Sequence, residues 1–300
     1  MSDRVATARA GAPAAGAGSA IAAMLSSTVG FALSDLFAKR LAADGAGTPE
    51  LVGLRLLCLG LWLGWLLLRG ARLRRSRHLG LQLLRGLGIT GSSLVFVLGL
   101  SFLPLAAATA IGFSSPIYIT LLSAWLLRER VQPVRWVWVV VGFAGVVAVA
   151  GPSPATFDVA ALLPLTSALL WSAAMICTRL IGNDDDALTT QVWTCAVGLA
   201  CVGLVLAAAA QGTPRSATAA WSATQWTEGL AMGLAWSFAQ WQVARAYARA
   251  QASALAPLAY IQMLWAGFLA WGVLGQPPTL RTMVGSALIA LAGLGMLRTR

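Results

Sequence analysis

Apolar runs of about 20 residues, separated by short polar segments, recur along the whole chain. Within each run the polar residues do not alternate with apolar ones, as they do in a half-buried strand. A helix needs roughly 20 apolar residues to cross a hydrocarbon core of ~30 Å. The pattern therefore predicts ten membrane-spanning helices, at residues 20–41, 49–69, 80–101, 105–127, 134–151, 158–181, 188–210, 227–249, 252–274 and 279–297.

The composition agrees with a lipid environment. Hydrophobic residues make up 58% of the 300 residues and charged residues only 10%, whereas a soluble domain carries about 25% charged residues. In a bilayer every backbone N–H and C=O group must be paired inside the protein, which leaves helices and closed barrels as the spanning structures. Since the runs lack the alternation of strands, we predict an all-α integral membrane protein in contact with the lipid bilayer.

The basic residues indicate the orientation of the helices. The net charge is +11, but the Lys and Arg residues lie in short loops between apolar runs, a distribution that does not suit binding to nucleic acid. With the N-terminus in the cytoplasm, 16 of the 21 basic residues fall on the cytoplasmic side, the side where Lys and Arg are enriched in membrane proteins. We therefore predict that both termini are cytoplasmic, and we interpret residues 1–19 as a disordered cytoplasmic tail.

The two halves of the chain show a weak internal similarity. Residues 86–103 can be aligned with residues 233–250 at a shift of 147. Because each half has five predicted helices, the halves enter the membrane in opposite directions, as in transporters built from inverted repeats. We predict one five-helix repeat at 20–151 and a second at 158–297, with a substrate site between them near the midplane.

Three segments carry a resemblance to a known family. The fourth predicted helix reads LPLAAATAIGFSSPIYITLLSAWLLRE, with Pro116 thirteen residues before Glu129, and the next helix has Gly142 and Gly145 in a small-residue pattern. The second half ends in GQPPTLRTMVGSALIALAGLGML. In these features nearly the whole chain resembles the EamA-type drug/metabolite transporters, with a lean towards bacterial exporters of amino acids and related metabolites. The resemblance implies a location in the bacterial inner membrane.

Two positions depart from the pattern of that family. Gln276 stands where the family usually has Glu, and Met263 stands where a second mid-helix proline is expected. These departures weaken any functional role carried over to the two positions, but they leave the predicted architecture unchanged.

Polar and aromatic residues at mid-depth are the candidate substrate-binding groups. On the eighth predicted helix Trp236 and Gln240 are four residues apart and share one face, with Ser237 beside them. On the sixth predicted helix Trp171 and Ser172 lie near the centre of the span. Two aromatic rings and an amide suit a planar ligand with polar ends, although ordinary helix packing explains the same residues.

Further candidates flank two prolines or lie on the third predicted helix. They are Ser114, Ser115, Tyr260, Gln262 and Ser92. Pro116 removes one backbone hydrogen bond and frees a carbonyl group for substrate or water, and Pro257 lies close to the second pair. A packing kink, or small side chains that let helices approach, is the alternative at these positions.

Charged groups are rare within the predicted spans. Asp35 lies one turn from Lys39, so the two side chains suit a structural ion pair, and a gating or ion-linked role is the alternative. Arg55 lies close enough to its helix end for its guanidinium group to reach the interface. His78 and the triplet Asp184–Asp186 fall in short loops, where we expect solvated side chains; a cation site is the alternative for the triplet.

Together these features predict a transporter that exports small metabolites by alternating access. Neutral and aromatic amino acids are the favoured cargo, because amides, hydroxyl groups and helix-end dipoles can hold a zwitterion; drugs or nucleotide-type metabolites are the alternative. One histidine and no paired acidic motif argue against an integral-membrane transferase, and the inverted repeat argues against a channel or receptor. No catalytic residue, metal site or cofactor is predicted. The oligomeric state is left open, and a monomer is compatible with the sequence.

Overall fold

Helices form every regular element in the part of the chain that the computed structural model describes, namely residues 14–100, 102, 111–127, 132–150, 160, 162–182, 184–210, 221–274 and 280–298. In chain order they are α1 (Ala14–Ala43), α2 (Thr48–Leu68), α3 (Leu79–Leu100), α4 (Ser115–Leu126), α5 (Pro133–Ala150), α6 (Leu162–Ile181), α7 (Ala187–Ala210), α8 (Ala223–Arg249), α9 (Ile261–Leu274) and α10 (Leu280–Arg298). A helical turn at Ala252–Leu255 and a 3₁₀ segment at Ala256–Tyr260 lead into α9.

Most helix bounds agree with the predicted spans to within a few residues. α1 is longer than predicted, because it begins at Ala14, inside the segment interpreted as a disordered tail. Residues 1–13 of that segment lie outside the described residues, as do residues 105–110 of the fourth predicted span. In the described part of the chain, each of the helices α1 to α10 overlaps one predicted span.

The lengths and compositions of the helices fit a multi-pass membrane protein. In the described ranges five stretches are long and apolar enough to cross a membrane, namely Gly18–Ala43, Thr48–Leu68, Leu79–Gly99, Leu162–Ile181 and Ala187–Ala208. Shorter apolar stretches are Ile117–Leu126, Pro133–Gly145, Leu258–Val273 and Met283–Ala292. α8 has 27 residues but is more polar than these helices, and it buries Trp236, Gln240 and Tyr247 inside the bundle.

Local sequence signals account for several helix ends. The N–H group of Gly47 donates to Oε2 of Glu50 at 3.2 Å. A proline occupies the first turn of α2, where a backbone N–H group would have no acceptor within the helix, so its absence costs no hydrogen bond. At the start of α8 the hydroxyl oxygen of Ser222 accepts from the N–H group of Gln225 at 3.3 Å. Gly45 follows α1 with φ of 92°, a left-handed conformation that favours glycine at a helix end.

Two helices of the bundle are interrupted next to a proline. Residues 111–112 are helical, Phe113 and Ser114 form a turn, and α4 then begins with Pro116 in its first turn. In the second half Pro257 lies in the 3₁₀ segment that precedes α9. A proline ring has no N–H group to donate and excludes the preceding turn from regular helix geometry. Both interruptions border the central cavity described below.

Each of the most extensive contacts between two helices has a counterpart in which both helices are replaced by the corresponding helices of the other half. α1 packs along α8 as α6 packs along α3, and α2 contacts α8 as α7 contacts α3. α4 contacts α6 as α9 contacts α1. Two further contacts, α2 with α7 and α5 with α10, join corresponding helices of the two halves and so are their own counterparts. Two inverted repeats related by a two-fold axis produce this kind of exchange.

Glycines stand at the closest approaches of the exchanged pairs. A Cβ atom placed on Gly86 of α3 would lie 2.8 Å from Cβ of Val197 on α7. A Cβ atom placed on Gly233 of α8 would lie 2.7 Å from Cβ of Cys58 on α2. Gly86 and Gly233 are the two positions that the sequence alignment of the halves superposes. The absence of a side chain at both positions lets the helix backbones approach.

The loop after α2 is bound to the loop between α6 and α7. Oδ2 of Asp185 accepts hydrogen bonds from the hydroxyl group of Ser76 at 2.5 Å and from Nε2 of Gln82 at 2.9 Å, and Oδ1 accepts from the backbone N–H group of Arg77 at 2.9 Å. Burial alone would raise the pKa of Asp185, but these hydrogen bonds and the charge of His78 outweigh it, and the pKa lies below its usual value.

Solvated side chains were expected in this region, and that expectation is wrong for Asp185 and His78. The side chain of His78 is only 10% exposed, and its Nε2 atom lies 2.8 Å from Oδ2 of Asp184. Asp186 accepts a hydrogen bond from the N–H group of Thr189 at 2.7 Å and so caps α7. The acidic triplet thus holds two loops and a helix end together.

Candidate functional site

A cavity of about 160 Å³ lies in the middle of the bundle, with walls from both halves of the chain. Its aromatic side chains are Phe31, Phe96, Phe113, Trp171 and Trp236. Its polar side chains with a charge or an amide are Asp35, Arg55, Gln240 and Gln262, and several serines and one threonine complete the wall. The cavity therefore combines an apolar, partly aromatic surface with polar groups from both halves of the chain.

The residues predicted from the sequence divide into two groups. Those that line the cavity are Asp35, Ser92, Ser115, Trp171, Trp236, Gln240 and Gln262. Those that do not line it are Lys39, Ser114, Ser172, Ser237 and Tyr260. The two residues of α8 with the same predicted face, Trp236 and Gln240, are together on the wall.

Two of the serines outside the cavity bond to carbonyl groups of their own helices. Ser172 donates to the carbonyl oxygen of Ala168 at 2.6 Å, and Ser237 donates to that of Gly233 at 2.7 Å. Serine inside a helix commonly bonds to the carbonyl group four residues earlier, so its hydroxyl need not face a ligand. These two serines therefore support helix packing in this conformation.

Tyr260 lies at the predicted depth but belongs to a separate apolar cluster. Its ring packs against Phe113, with ring centroids 6.0 Å apart, and covers Gly142 of α5, where a Cβ atom would lie 2.6 Å from the ring. Its hydroxyl group points to the backbone carbonyl oxygen of Val139 at 3.5 Å. The side chain consequently fills the contact between α5 and the 3₁₀ segment.

Gln240 presents an amide that no described residue binds. Its side chain lines the cavity, and neither its Nε2 nor its Oε1 atom has a hydrogen-bond partner among the described residues. Its backbone carbonyl oxygen is held by Nε2 of Gln191 at 2.7 Å, which fixes this part of α8. An unsatisfied buried polar group costs about 1–3 kcal/mol, so a ligand that pairs with the amide would recover that free energy.

Aromatic rings line the same cavity from several helices. Trp236 precedes Gln240 by one turn of α8, and Trp171 stands on α6 in the same cavity. The ring of Trp171 meets the ring of Phe31 edge-on, with centroids 5.6 Å apart and an interplanar angle of 83°. Such contacts fix the orientation of the indole ring and leave an aromatic surface for stacking.

Asp35 forms an ion pair with Arg55, and the predicted pair with Lys39 is wrong. Nη2 of Arg55 lies 3.2 Å from Oδ1 of Asp35, and Nε2 of Gln262 donates to Oδ2 at 3.0 Å. The side chain of Arg55 is 6% exposed and that of Asp35 is 36% exposed. The carboxylate therefore faces the cavity and the guanidinium group lies behind it, and Arg55 does not reach the membrane interface as expected.

The sequence reasoning missed one wall of the cavity. Ser27, Phe31 and Asp35 are spaced by four residues on α1, so they share one helical face, and all three line the cavity. The spacing could have revealed this face, because Asp35 alone had been singled out. Ser167 is a second omission: its hydroxyl lies 2.9 Å from that of Ser92 and closes the wall between α3 and α6.

Comparisons with known proteins relate the chain to membrane transport. The sequence profile described as the EamA-like transporter family matches residues 18–151 and, separately, residues 158–298. A crystal structure of a protein with 21% sequence identity superposes with a TM-score of 0.69 and covers 90% of this chain and 95% of that chain. At this identity the superposition shows the fold alone.

Two relatives carry names that refer to small-molecule transport. A protein of Rhizobium johnstonii named riboflavin transporter is 32% identical over 222 residues, which cover 74% of this chain and 70% of that protein. A protein of Rickettsia prowazekii named S-adenosylmethionine uptake transporter is 25% identical over 213 residues, which cover 71% of this chain and 70% of that protein. Both similarities extend over most of the helical bundle.

Proposed function

Because the chain belongs to the EamA-like transporter family, we propose that it carries a planar, hydrogen-bonding metabolite across the membrane through the central cavity. Family membership indicates a transporter rather than an enzyme. The observation that carries the proposal is the unpartnered amide of Gln240 at the cavity wall, one turn from the ring of Trp236. An amide beside an aromatic ring matches the edge and the face of a planar polar ligand.

The proposal includes an architecture of ten membrane-spanning helices in two inverted repeats, at residues 20–151 and 158–297. Its support is the exchange of helix pairs between the halves and the equivalent contacts of Gly86 and Gly233. In transporters of this design the two repeats rock about a fixed site at their interface. The proposed location is the bacterial inner membrane, with both termini cytoplasmic.

Riboflavin and related planar heterocycles form the cargo class that the cavity favours. Riboflavin and S-adenosylmethionine, the ligands in the names of the two relatives, each join a fused nitrogen heterocycle to a flexible polar chain. Trp171, Trp236 and Phe31 supply aromatic surface on which such a ring can stack.

Neutral and aromatic amino acids are the second candidate, with export as the direction predicted from the sequence. The observation in their favour is the pair of Asp35 and Arg55, whose opposite charges match the ammonium and carboxylate groups of a zwitterion. The charge of Arg55 is already neutralised by Asp35, however, whereas neither amide atom of Gln240 has a partner among the described residues. The geometry consequently favours the heterocycle.

Transport by the purified protein in liposomes tests this proposal. The panel contains riboflavin, S-adenosylmethionine, tryptophan and leucine, each supplied inside or outside the vesicles and with or without a proton gradient. We expect saturable riboflavin transport above that of protein-free liposomes. Saturable transport of the amino acids without riboflavin would favour the second candidate, and transport of none of the four compounds would overturn the proposal.

A further inference from the structure

We infer that the cavity recognises its ligand at two separate polar points, the amide of Gln240 and the carboxylate of Asp35. It therefore selects a planar heterocycle that carries a chain of hydrogen-bond donors. This inference rests on the proposed function and adds how the ligand is oriented and which part of it determines specificity.

The separation of the two points follows from the packing of α1 against α8. Nε2 of Gln242 donates to the hydroxyl oxygen of Ser26 at 2.8 Å, and Nη2 of Arg40 lies 2.7 Å from Oε1 of Glu228. These two contacts set an antiparallel register in which Gln240 is level with Thr28. Asp35 lies seven residues further along α1, which is about 10 Å at ~1.5 Å per residue. A fused-ring heterocycle spans such a distance.

The hydroxyl groups that α1 contributes to the cavity wall are already engaged. The hydroxyl group of Ser27 donates to the carbonyl oxygen of Met24 at 2.6 Å, and that of Thr28 donates to the carbonyl oxygen of Leu25 at 2.6 Å. Phe31 occupies the next turn of α1 on the same wall. Along the stretch from Gln240 to Asp35, the cavity-lining side chains of α1 thus offer an aromatic surface and no free donor, which suits the flat face of a ring.

The two points differ in the hydrogen bonds that they can make with a ligand. Both amide atoms of Gln240 are free among the described residues, so this side chain can donate and accept at the same edge of a ligand. Asp35 can only accept, and it uses one bond on each oxygen, to Arg55 and to Gln262. An ionised carboxylate accepts about four hydrogen bonds in total. The exposed side of Asp35 therefore accepts further hydroxyl or ammonium donors.

These requirements describe one orientation of a flavin. Its imide edge presents a donor between two acceptors and pairs with Gln240, and its rings lie along Phe31 and Trp236. The hydroxyl groups of the side chain then reach Asp35, where hydrogen bonds to an ionised acceptor are roughly twice as strong as neutral ones. The opposite orientation would place the hydroxyl groups of the side chain at the amide of Gln240. It would also place the imide edge at Asp35, whose carboxylate repels the carbonyl groups of the imide.

The first test uses the unaltered protein in detergent. Riboflavin and lumiflavin share the isoalloxazine ring, but lumiflavin carries a methyl group where riboflavin has the polyol chain. We expect riboflavin to bind with a Kd roughly tenfold lower than that of lumiflavin, measured by equilibrium dialysis with flavin fluorescence. Equal Kd values for the two flavins would overturn the inference and leave the proposed function intact. Binding of neither flavin would also overturn the inference, whereas the proposed function would fall only if the liposome panel showed transport of none of its four compounds.

The second test compares two variants with both flavins. Asp35→Asn should raise the Kd for riboflavin roughly tenfold and change the Kd for lumiflavin less than twofold. Gln240→Leu should raise both Kd values by a similar factor, because both flavins have the imide edge. A loss of both ligands in Asp35→Asn protein that elutes as a single peak, or an unchanged riboflavin Kd, would contradict the assignment of Asp35.

Discussion

Nη2 of Arg55 donates to Oδ1 of Asp35 at 3.2 Å and also approaches the backbone carbonyl oxygen of Ser34 at 3.3 Å. One nitrogen atom of the guanidinium group thus holds both a side chain and the backbone of α1. The Nε atom of Arg55 has no partner among the described residues. The charge of Arg55 is therefore neutralised only through α1 among the described residues. The carboxylate of Asp35, in contrast, also accepts a hydrogen bond from Gln262 and faces the cavity.

This difference predicts an unequal effect of removing either charge. Asp35→Leu leaves a covered guanidinium group unpaired and should destabilise the fold by about 3–5 kcal/mol. Arg55→Met leaves a carboxylate that faces the cavity and keeps Gln262, so its Tm in detergent should fall less. The double variant should melt above Asp35→Leu, because it carries no unpaired charge. A lower Tm for Arg55→Met than for Asp35→Leu would contradict this view of the pair.

Gln240 and Gln242 offer a matched pair of substitutions on α8. Gln240→Leu removes an amide without a protein partner, so the amount of folded protein should not fall, while riboflavin transport in liposomes should fall roughly tenfold. Gln242→Leu removes an amide that binds Ser26 outside the cavity. It should leave transport close to that of the parent, because the pair of Arg40 and Glu228 still holds the register of α1 and α8. Equal transport by both variants would show that Gln240 serves only helix packing.

Gly86 and Gly233 predict two equivalent steric defects. Gly86→Ala brings a methyl group against Cβ of Val197, and Gly233→Ala brings one against Cβ of Cys58 and within 3.2 Å of the carbonyl oxygen of Leu54. Each should destabilise by about 1–3 kcal/mol, as overpacked sites do, and lower the Tm. Gly64→Ala is the control, because a Cβ atom there meets nothing within 4 Å.

A second substitution distinguishes overpacking from lost flexibility. Val197→Gly removes the Cβ atom that Gly86→Ala would meet, so the double variant should melt at a higher temperature than Gly86→Ala alone. If the two substitutions lower the Tm additively, the close approach of α3 and α7 is not the cause of the defect.

Asp185 predicts a dependence of stability on acid pH. Its pKa in the folded protein lies below the usual value of 3.8, so it contributes stability that is fully present above the unfolded pKa and is lost as the pH falls through the folded pKa. The Tm of the parent should therefore fall more steeply below about pH 4 than that of Asp185→Asn. Asp184→Asn is the control, because the carboxylate of Asp184 is 59% exposed. If the Tm of the parent and that of Asp185→Asn fall equally with pH, Asp185 does not cause the acid dependence of stability.

Labelling of single cysteines tests the orientation of the bundle. A membrane-impermeant maleimide should label Ala43→Cys in intact cells and should label Arg74→Cys only after permeabilisation. The native Cys58, Cys177 and Cys195 are buried, whereas Cys201 is partly exposed, so the labelling uses a Cys201→Ser background. Labelling of Arg74→Cys in intact cells would show that the orientation is opposite to the one proposed.

Helix positions followed from the sequence because ten runs of apolar residues are a strong local signal. The partners of charged residues did not follow, because they come from distant parts of the chain. Arg85 is one of the 16 basic residues counted on the predicted cytoplasmic side, yet it is wholly buried and donates to the hydroxyl groups of Thr178 at 2.7 Å and of Thr194. These partners lie on α6 and α7, and no spacing around Arg85 indicates them.

The site was predictable where a regular helix carries it. Trp236 and Gln240 share a face because α8 continues without a break through both residues. The direction of Tyr260 was not predictable, because a 3₁₀ segment advances each residue by about 120° instead of the ~100° of an α-helix. The angular error accumulates over Ala256–Tyr260 and turns the ring from the cavity towards α5.

The polarity of α8 has a consequence for how the protein is made. This helix carries Glu228, Gln240 and Arg245 within 27 residues, and charged or amide groups insert poorly into lipid when a helix is alone. Its polar contacts Ser26 and Arg40 belong to α1, which is synthesised much earlier. We therefore expect α8 to enter the bilayer beside an α1 that is already in place. Ribosomal synthesis of the second half without the first would then leave this helix outside the membrane and expose it to proteolysis.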